Sequence, residues 1–131
     1  MVPVEVEVGF GAGSGGRGIA YARIHGGTAD HLLRVAFRLP REFADAEVGY
    51  AALTAVAHAL RKRRLKNVRL SVDDGGLVEG LSGGEIPPAM VLPYVRLKCA
   101  LNGFDDVRVS ATQSSDLAQR ARAEVALLPA A

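Results

Sequence analysis

The segment LLRVAFRLPREFADAEVGYAALTAVAHALRKRR, residues 32–64, contains the change of period on which the fold turns. Its first part, Leu32 to Leu39, reads as a strand, and Pro40 ends it because proline cannot donate to a strand ladder. From Asp45 to Arg64 the apolar residues fall at Val48, Ala52, Ala55, Val56, Ala59 and Leu60. That spacing predicts a helix with one apolar stripe. The basic residues that close the segment sit where the negative end of a helix dipole favours cations.

Upstream, Val4, Val6, Val8 and Phe10 alternate with Glu5, Glu7 and Gly9, the period-two pattern of a strand. GAGSGG at 11–16 is a loop, and IAYARI at 19–24 alternates again, so the pair predicts a hairpin. Gly11, Gly13 and Gly16 match a dinucleotide-binding G-x-G-x-x-G, but that fingerprint must open a helix, and here a strand follows. Downstream, VRLSV at 68–72 is a short strand ending at Asp73-Asp74. Gly75 to Leu81 forms a short helix that Gly83-Gly84 stops. A longer helix is expected from Pro87 or Pro88 to Leu101, with Met90, Tyr94, Leu97 and Leu101 on one face and a kink or break at Pro93. Asn102-Gly103 stops it. Val107 to Ala111 is a fifth strand. Ser114 or Ser115 then caps a last helix carrying Leu117, Ala121, Val125 and Leu128. The order β-β-β-α-β-α-α-β-α predicts an α/β fold with a five-stranded mixed sheet. Three strands are antiparallel, two enter by helical crossovers, and helices lie on both faces.

The chain has 131 residues, which on size alone makes residues 1–131 a single domain. Hydrophobic residues make up 49% and charged residues 23%, a balance that excludes intrinsic disorder. No apolar run approaches the ~18 residues of a membrane span. MVPVEVEVGF carries two glutamates where a signal peptide needs basic and then apolar residues, so a cytoplasmic location is expected. Cys99 is the one cysteine, which excludes an internal disulfide framework and a cysteine-based zinc site. His25, His31 and His58 have no metal-ligand spacing.

The net charge of +2 identifies no partner, but its distribution is uneven. Arg61, Lys62, Arg63, Arg64, Lys66 and Arg69 are six of the sixteen basic residues, with no acid between them. Such a cluster suits nucleic-acid phosphates, although a helix end stabilised by its dipole explains part of it. Trp is absent and aromatic residues are few, so stacking on single-stranded bases has little support.

The element order and four segments resemble the ribonuclease H family, particularly its branch related to reverse-transcriptase-associated domains. YAALTAVAHAL at 50–60 is similar to the family's first helix, just after a catalytic glutamate. VRLSVDDGGLVEGLSG at 68–83 is similar to a strand that ends in a catalytic aspartate, followed by a short helix. PYVRLKCALNGFDDVRVSAT at 93–112 and SSDLAQRA at 114–121 resemble the next helix, the last strand and the start of the final helix. The resemblance implies a ribonuclease H-like fold over the whole chain. It also implies magnesium- or manganese-assisted hydrolysis of RNA–DNA hybrids, with carboxylates holding two cations.

The carboxylate positions that the resemblance implies are mostly filled by other residues. By strand parity the first falls on Gly11, with Phe10 its neighbour. The second falls on Gly49. The third is Asp73. The fourth falls on Ser115, or on Asp116 after a slip of one residue. Glu47, Glu7 and Asp74 are the nearby acids. Glu47 lies about 200° around the helix from Gly49, Glu7 about 13 Å back along its strand, and Asp74 points away from Asp73 in an extended chain. The expected function is a nucleic-acid-binding, ribonuclease H-like protein, a pseudoenzyme with weak or no cleavage and Asp73 as a remnant metal ligand. The alternatives are an active Mg- or Mn-dependent enzyme using Asp73 with Asp116 and Asp74 or Glu47, and a module that binds a protein partner.

Overall fold

The computed structural model describes residues 2–26, 29–113 and 116–128. Its elements are β1 (Val4–Ala12), β2 (Arg17–Gly26), β3 (Ala29–Arg38), α1 (Asp45–Lys62), β4 (Asn67–Val72), α2 (Gly75–Leu81), α3 (Val91–Leu101), β5 (Asp106–Ala111) and α4 (Asp116–Leu127). Single 3-10 turns occupy Ser14–Gly16 and Pro88–Met90. The sheet order is β3-β2-β1-β4-β5. β1 pairs antiparallel with β2, and β2 antiparallel with β3; β4 joins β1 and β5 in parallel. This is the mixed sheet that the periodicity predicts.

The alternation of the strands divides the protein into two apolar layers. Val6 and Val8 of β1 and Val68, Leu70 and Val72 of β4 are at most 1% exposed, and they pack with Leu53, Val56 and Leu60 of α1 and Leu97 of α3. Fully burying each such side chain contributes about 1.5–3 kcal/mol. The opposite face is smaller: Ile19 and Tyr21 of β2 meet Leu117, Ala121 and Val125 of α4. Helices therefore cover both faces of the sheet.

Two details depart from the sequence reading. The helix expected from Pro87 or Pro88 through Leu101 has no kink at Pro93. A 3-10 turn ends at Met90, α3 starts at Val91, and Pro93 falls in its first turn, where an N–H has no intrahelical partner to lose. The first strand also continues past Phe10 to Ala12, so Gly11 belongs to the sheet rather than to the loop. The turn to β2 then uses Gly15 and Gly16 at φ of 79° and 80°, a left-handed backbone that glycine adopts without strain. Ser114 and Ser115, expected to cap the last helix, lie outside the described residues.

Candidate functional site

Gly49, in the second turn of α1, marks a corner between α1, the end of β1 and the start of α2. A Cβ at Gly49 would collide with Oδ2 of Asp74 and would stand 3.1 Å from Leu77 Cδ1 and 3.3 Å from Phe10 Cζ. The corner is thus built from Phe10, Gly49 and Asp74. Phe10 points here because β1 alternates and Phe10 shares a face with Val6 and Val8. Asp74 is here because β4 stops at Val72 and the chain turns: Asp74 is the N-cap of α2, and Oδ1 accepts a hydrogen bond from the Leu77 N–H at 3.1 Å.

The sequence-based candidates distribute differently from this corner. Gly11 faces the other side of the sheet, where a Cβ would lie 2.8 Å from Arg122 Cγ and 3.0 Å from Arg122 Cα. Its missing side chain lets α4 approach β1 closely, and a Cβ at Gly9 would meet the backbone of Leu117 and Ala118 in the same way. Asp73 is half-buried, and its side chain has no hydrogen bond or ion pair among the described residues. Glu47 lines a cleft with Arg38, Pro40 and Arg96 that Asp74 does not line. Ser115 lies outside the described residues.

Asp116 is held by Arg23 of β2. Arg23 donates from Nη2 to Oδ2 at 2.8 Å and from Nη1 to Oδ1 at 3.3 Å. That bidentate contact, together with the Arg23 charge, holds the Asp116 carboxyl below its ordinary range. Glu7 sits on the same side of the sheet, with Arg23 at 3.8 Å and His25 Nε2 at 2.8 Å from its two oxygens. His25 Nδ1 in turn lies 3.0 Å from Asp30 Oδ1, and hydrogen bonds first to Glu7 and then to Asp30 raise the imidazole pKa. Further along this face Glu124 of α4 accepts from Arg34 and then Tyr21, which lowers its pKa, while Arg120 stacks 4.7 Å from the Tyr21 ring centre.

Magnesium or manganese asks for several hard oxygen ligands in close geometry. At the Gly49 corner the carboxylate of Asp74 stands beside the helix, and one of its oxygens already caps α2. Among the described residues no three His, Cys, Asp or Glu side chains come together to hold a metal ion. Among the described residues the side chains do not fit a pair of divalent cations.

The basic cluster lies elsewhere. Arg61 and Lys62 form the last turn of α1, and Arg61 is about 18 Å along the helix from Gly49. Arg64 takes a φ of 63°, and the N–H groups of Arg64 and Leu65 bond back to the carbonyls of Arg61 and Leu60. This is a Schellman ending with arginine where glycine is usual. Arg69 leaves the group: it stands on β4 between its register partners Glu5 and Arg108, on the opposite face from Val68 and Leu70. All six side chains are exposed. Two cations outside the cluster extend it. Arg96 of α3 shares a groove with His58 and Arg61, and Arg96 and Arg38 share the next cleft towards Tyr50. Basic residues therefore follow the α1–α3 seam from the helix end back towards the Gly49 corner. Only the packing of α3 on α1 creates this line; the spacing within either helix does not announce it.

Comparison with solved structures places this architecture. The crystal structure of ribonuclease H1 from the halophilic archaeon Halobacterium salinarum superposes with a TM-score of 0.76 at 17% identity, covering 95% of this chain and 98% of that one. The chain has the ribonuclease H fold. The N-terminal ribonuclease H domain of a Mycobacterium tuberculosis protein, solved as a fusion with maltose-binding protein, gives a TM-score of 0.73 at 16% identity over 95% of this chain and 94% of that one. A ribonuclease H1 isolated from compost, solved in complex with an RNA/DNA hybrid, gives 0.69 at 14% identity over 93% and 92% of the two chains. No protein-family model and no curated protein matches the sequence. Among the described residues no helix is long and apolar enough to cross a membrane.

Proposed function

We propose that this protein binds a nucleic-acid duplex of the RNA–DNA hybrid kind along the α1–α3 seam and cleaves it weakly or not at all. The observation that carries the reading is the Gly49 corner, where Phe10 and Gly49 surround one carboxylate that is engaged as a helix cap. Phosphodiester hydrolysis by two cations needs several carboxylates around the scissile bond. Asp74 supplies one that already caps a helix, Asp116 is engaged by Arg23, and no three such groups come together among the described residues.

Binding asks for different groups, and those are present. Arg61, Lys62, Arg63, Arg64 and Lys66 at the helix end, with Arg96 and Arg38 along the seam, offer cations to a phosphate backbone. Phosphate contacts position a duplex without reading its sequence, so the expected binding is sequence-tolerant and steeply salt-dependent. One solved neighbour in this fold is itself a complex with an RNA/DNA hybrid.

The test is fluorescence anisotropy with a labelled RNA–DNA hybrid in EDTA, over a range of salt concentrations. Affinity should fall steeply with salt. Arg61→Glu combined with Arg96→Glu should weaken binding about ten-fold or more and flatten the salt slope, because counterion release scales with the phosphates neutralised. Salt-independent binding, or an unchanged affinity in the double variant, would overturn the assignment of the seam.

A further inference from the structure

The stretch between Glu85 and Arg96, IPPAMVLPYV at 86–95, carries no charged side chain. Met90 ahead of α3, and Leu97, Ala100 and Leu101 within it, are buried in the core. The outer side of the same stretch is apolar as well. Pro87, Pro88 and Ala89 are exposed, and Val91, Leu92 and Val95 are 47%, 58% and 45% exposed. The spacing of Leu92, Val95 and Cys99 continues that face along the helix. Among the described residues the other exposed large apolar side chains, Val2, Leu32 and Leu127, each stand alone. Isolated apolar residues on a surface need no cover, whereas a continuous strip marks an interaction site. A helix that is apolar on both sides is ordinarily buried on both.

The charges around the strip are sorted by sign. At its start, Glu79 and Glu85 line a recess together with Pro87 and Met90, and no Lys, Arg or His lines it. At its far end, Arg61 and Arg96 line a groove with Val95 and Cys99, and no acid lines it. A surface that is acidic at one end, apolar in the middle and basic at the other is complementary to its own copy. A two-fold axis perpendicular to α3 sets the acids of each copy towards the arginines of the other, with the apolar strips in contact between them. A two-fold axis along α3 would set like charges together, which costs free energy. An acidic partner is repelled at one end of the strip and a basic partner at the other, so a second copy of this chain satisfies both ends at once.

We propose that two copies of this chain associate antiparallel through the outer face of α3 and the turn before it. Leu92 and Val95 pack at the centre, and Glu85 of each copy is drawn to Arg96 of the other. The contact is small: its apolar part has six exposed side chains a side, against the roughly 20–30 residues a side of a standard stable interface. The dimer is therefore weak and forms as concentration rises. Arg96 also belongs to the α1–α3 seam, so association is measured without nucleic acid and stands or falls apart from hybrid binding.

Sedimentation equilibrium of the whole chain, from about 10 µM to about 1 mM, tests it. The weight-average mass should rise with concentration from that of one chain towards that of two, with a Kd on the order of 100 µM. Leu92→Asp lies on the exposed face, so it should keep the circular dichroism spectrum of the wild type while weakening association about ten-fold or more. Glu85→Lys and Arg96→Glu should each weaken association about three-fold. The double variant carrying both should regain the wild-type association, because the two charges have exchanged places across the axis. A chain that stays monomeric throughout would overturn the proposal and leave the strip to a different occupant. A mass that grows past two copies would also overturn it, because a two-fold contact closes on itself. So would unchanged association in Leu92→Asp, or a double variant that associates no more tightly than the single ones.

Discussion

On the α4 side of the sheet, Asp30, His25, Glu7, Arg23 and Asp116 form a run of alternating charge spanning β1, β2, β3 and the start of α4. On the α1 side, the Gly49 corner holds Asp74 with Phe10 and Leu77 as its neighbours. The two regions lie on opposite faces of one sheet and use acids for different ends. The first neutralises each carboxylate with a cation across the strands. The second keeps one carboxylate, uses it to start a helix, and fills the remaining space with an aromatic ring. An acid near the right place in sequence is therefore not an acid in the site. Glu7 and Asp116 are both within a few residues of a position where a metal ligand would be sought, and both are taken by Arg23.

Substitutions can break the two regions separately. The largest effect is expected from Leu117→Ala. Leu117 is fully buried under α4, and its truncation should cost about 2–5 kcal/mol in urea unfolding. The loosened α4 should take the Arg23–Asp116 contact with it and leave the corner standing. Gly49→Ala attacks the other region. Its Cβ would meet Asp74, Leu77 and Phe10, so a loss of about 1–3 kcal/mol is expected from overpacking. Asp74 itself gives the sharpest contrast. Asp74→Ala should cost about 1 kcal/mol by removing the cap of α2, whereas Asp74→Asn, an equally good cap, should leave stability and hybrid binding unchanged. Urea midpoints and anisotropy check both.

The smallest effect concerns pH. His25 is raised above its ordinary 6.5 by Glu7 and Asp30, so its contribution is fully present below that value and fades as pH rises through the raised one. Asp116 and Glu124 are lowered from 3.8 and 4.5, so theirs is present above those values and lost as pH falls through the lowered ones. Stability should be flat between these limits and decline gently on both sides, because the groups are exposed and screened. An NMR titration should place the His25 pKa above the ordinary imidazole value of 6.5. His25→Gln should remove the decline on the alkaline side.

Much of the fold was legible because burial imposes a period. Val6, Val8, Val68, Leu70 and Val72 are the inward residues of their strands, and Val56 and Leu60 of the helix stripe are fully buried. The site was harder to read, for three physical reasons. Strand parity separates Gly11 from Phe10 but does not say which face lies under α1 and which under α4. Gly11 faces α4, where a close-packed helix asks for a missing side chain. Parity also stops serving beyond Val72, where the chain turns and brings Asp74 beside Gly49. The partnership of Arg61 with Arg96 depends on contact between two helices far apart in sequence. A glycine before the tyrosine of YAAL was visible from the start; what stood against it was not.

The proposed function requires that the Gly49 corner does not assemble a pair of catalytic cations. The most direct measurement is cleavage of a labelled RNA–DNA hybrid by the wild-type protein with Mn²⁺, with Mg²⁺ and with EDTA, at a protein concentration that saturates binding. The hybrid should stay bound, with at most slow cleavage in either metal over the level in EDTA. Rapid metal-dependent cleavage that Asp74→Asn abolishes would contradict that requirement.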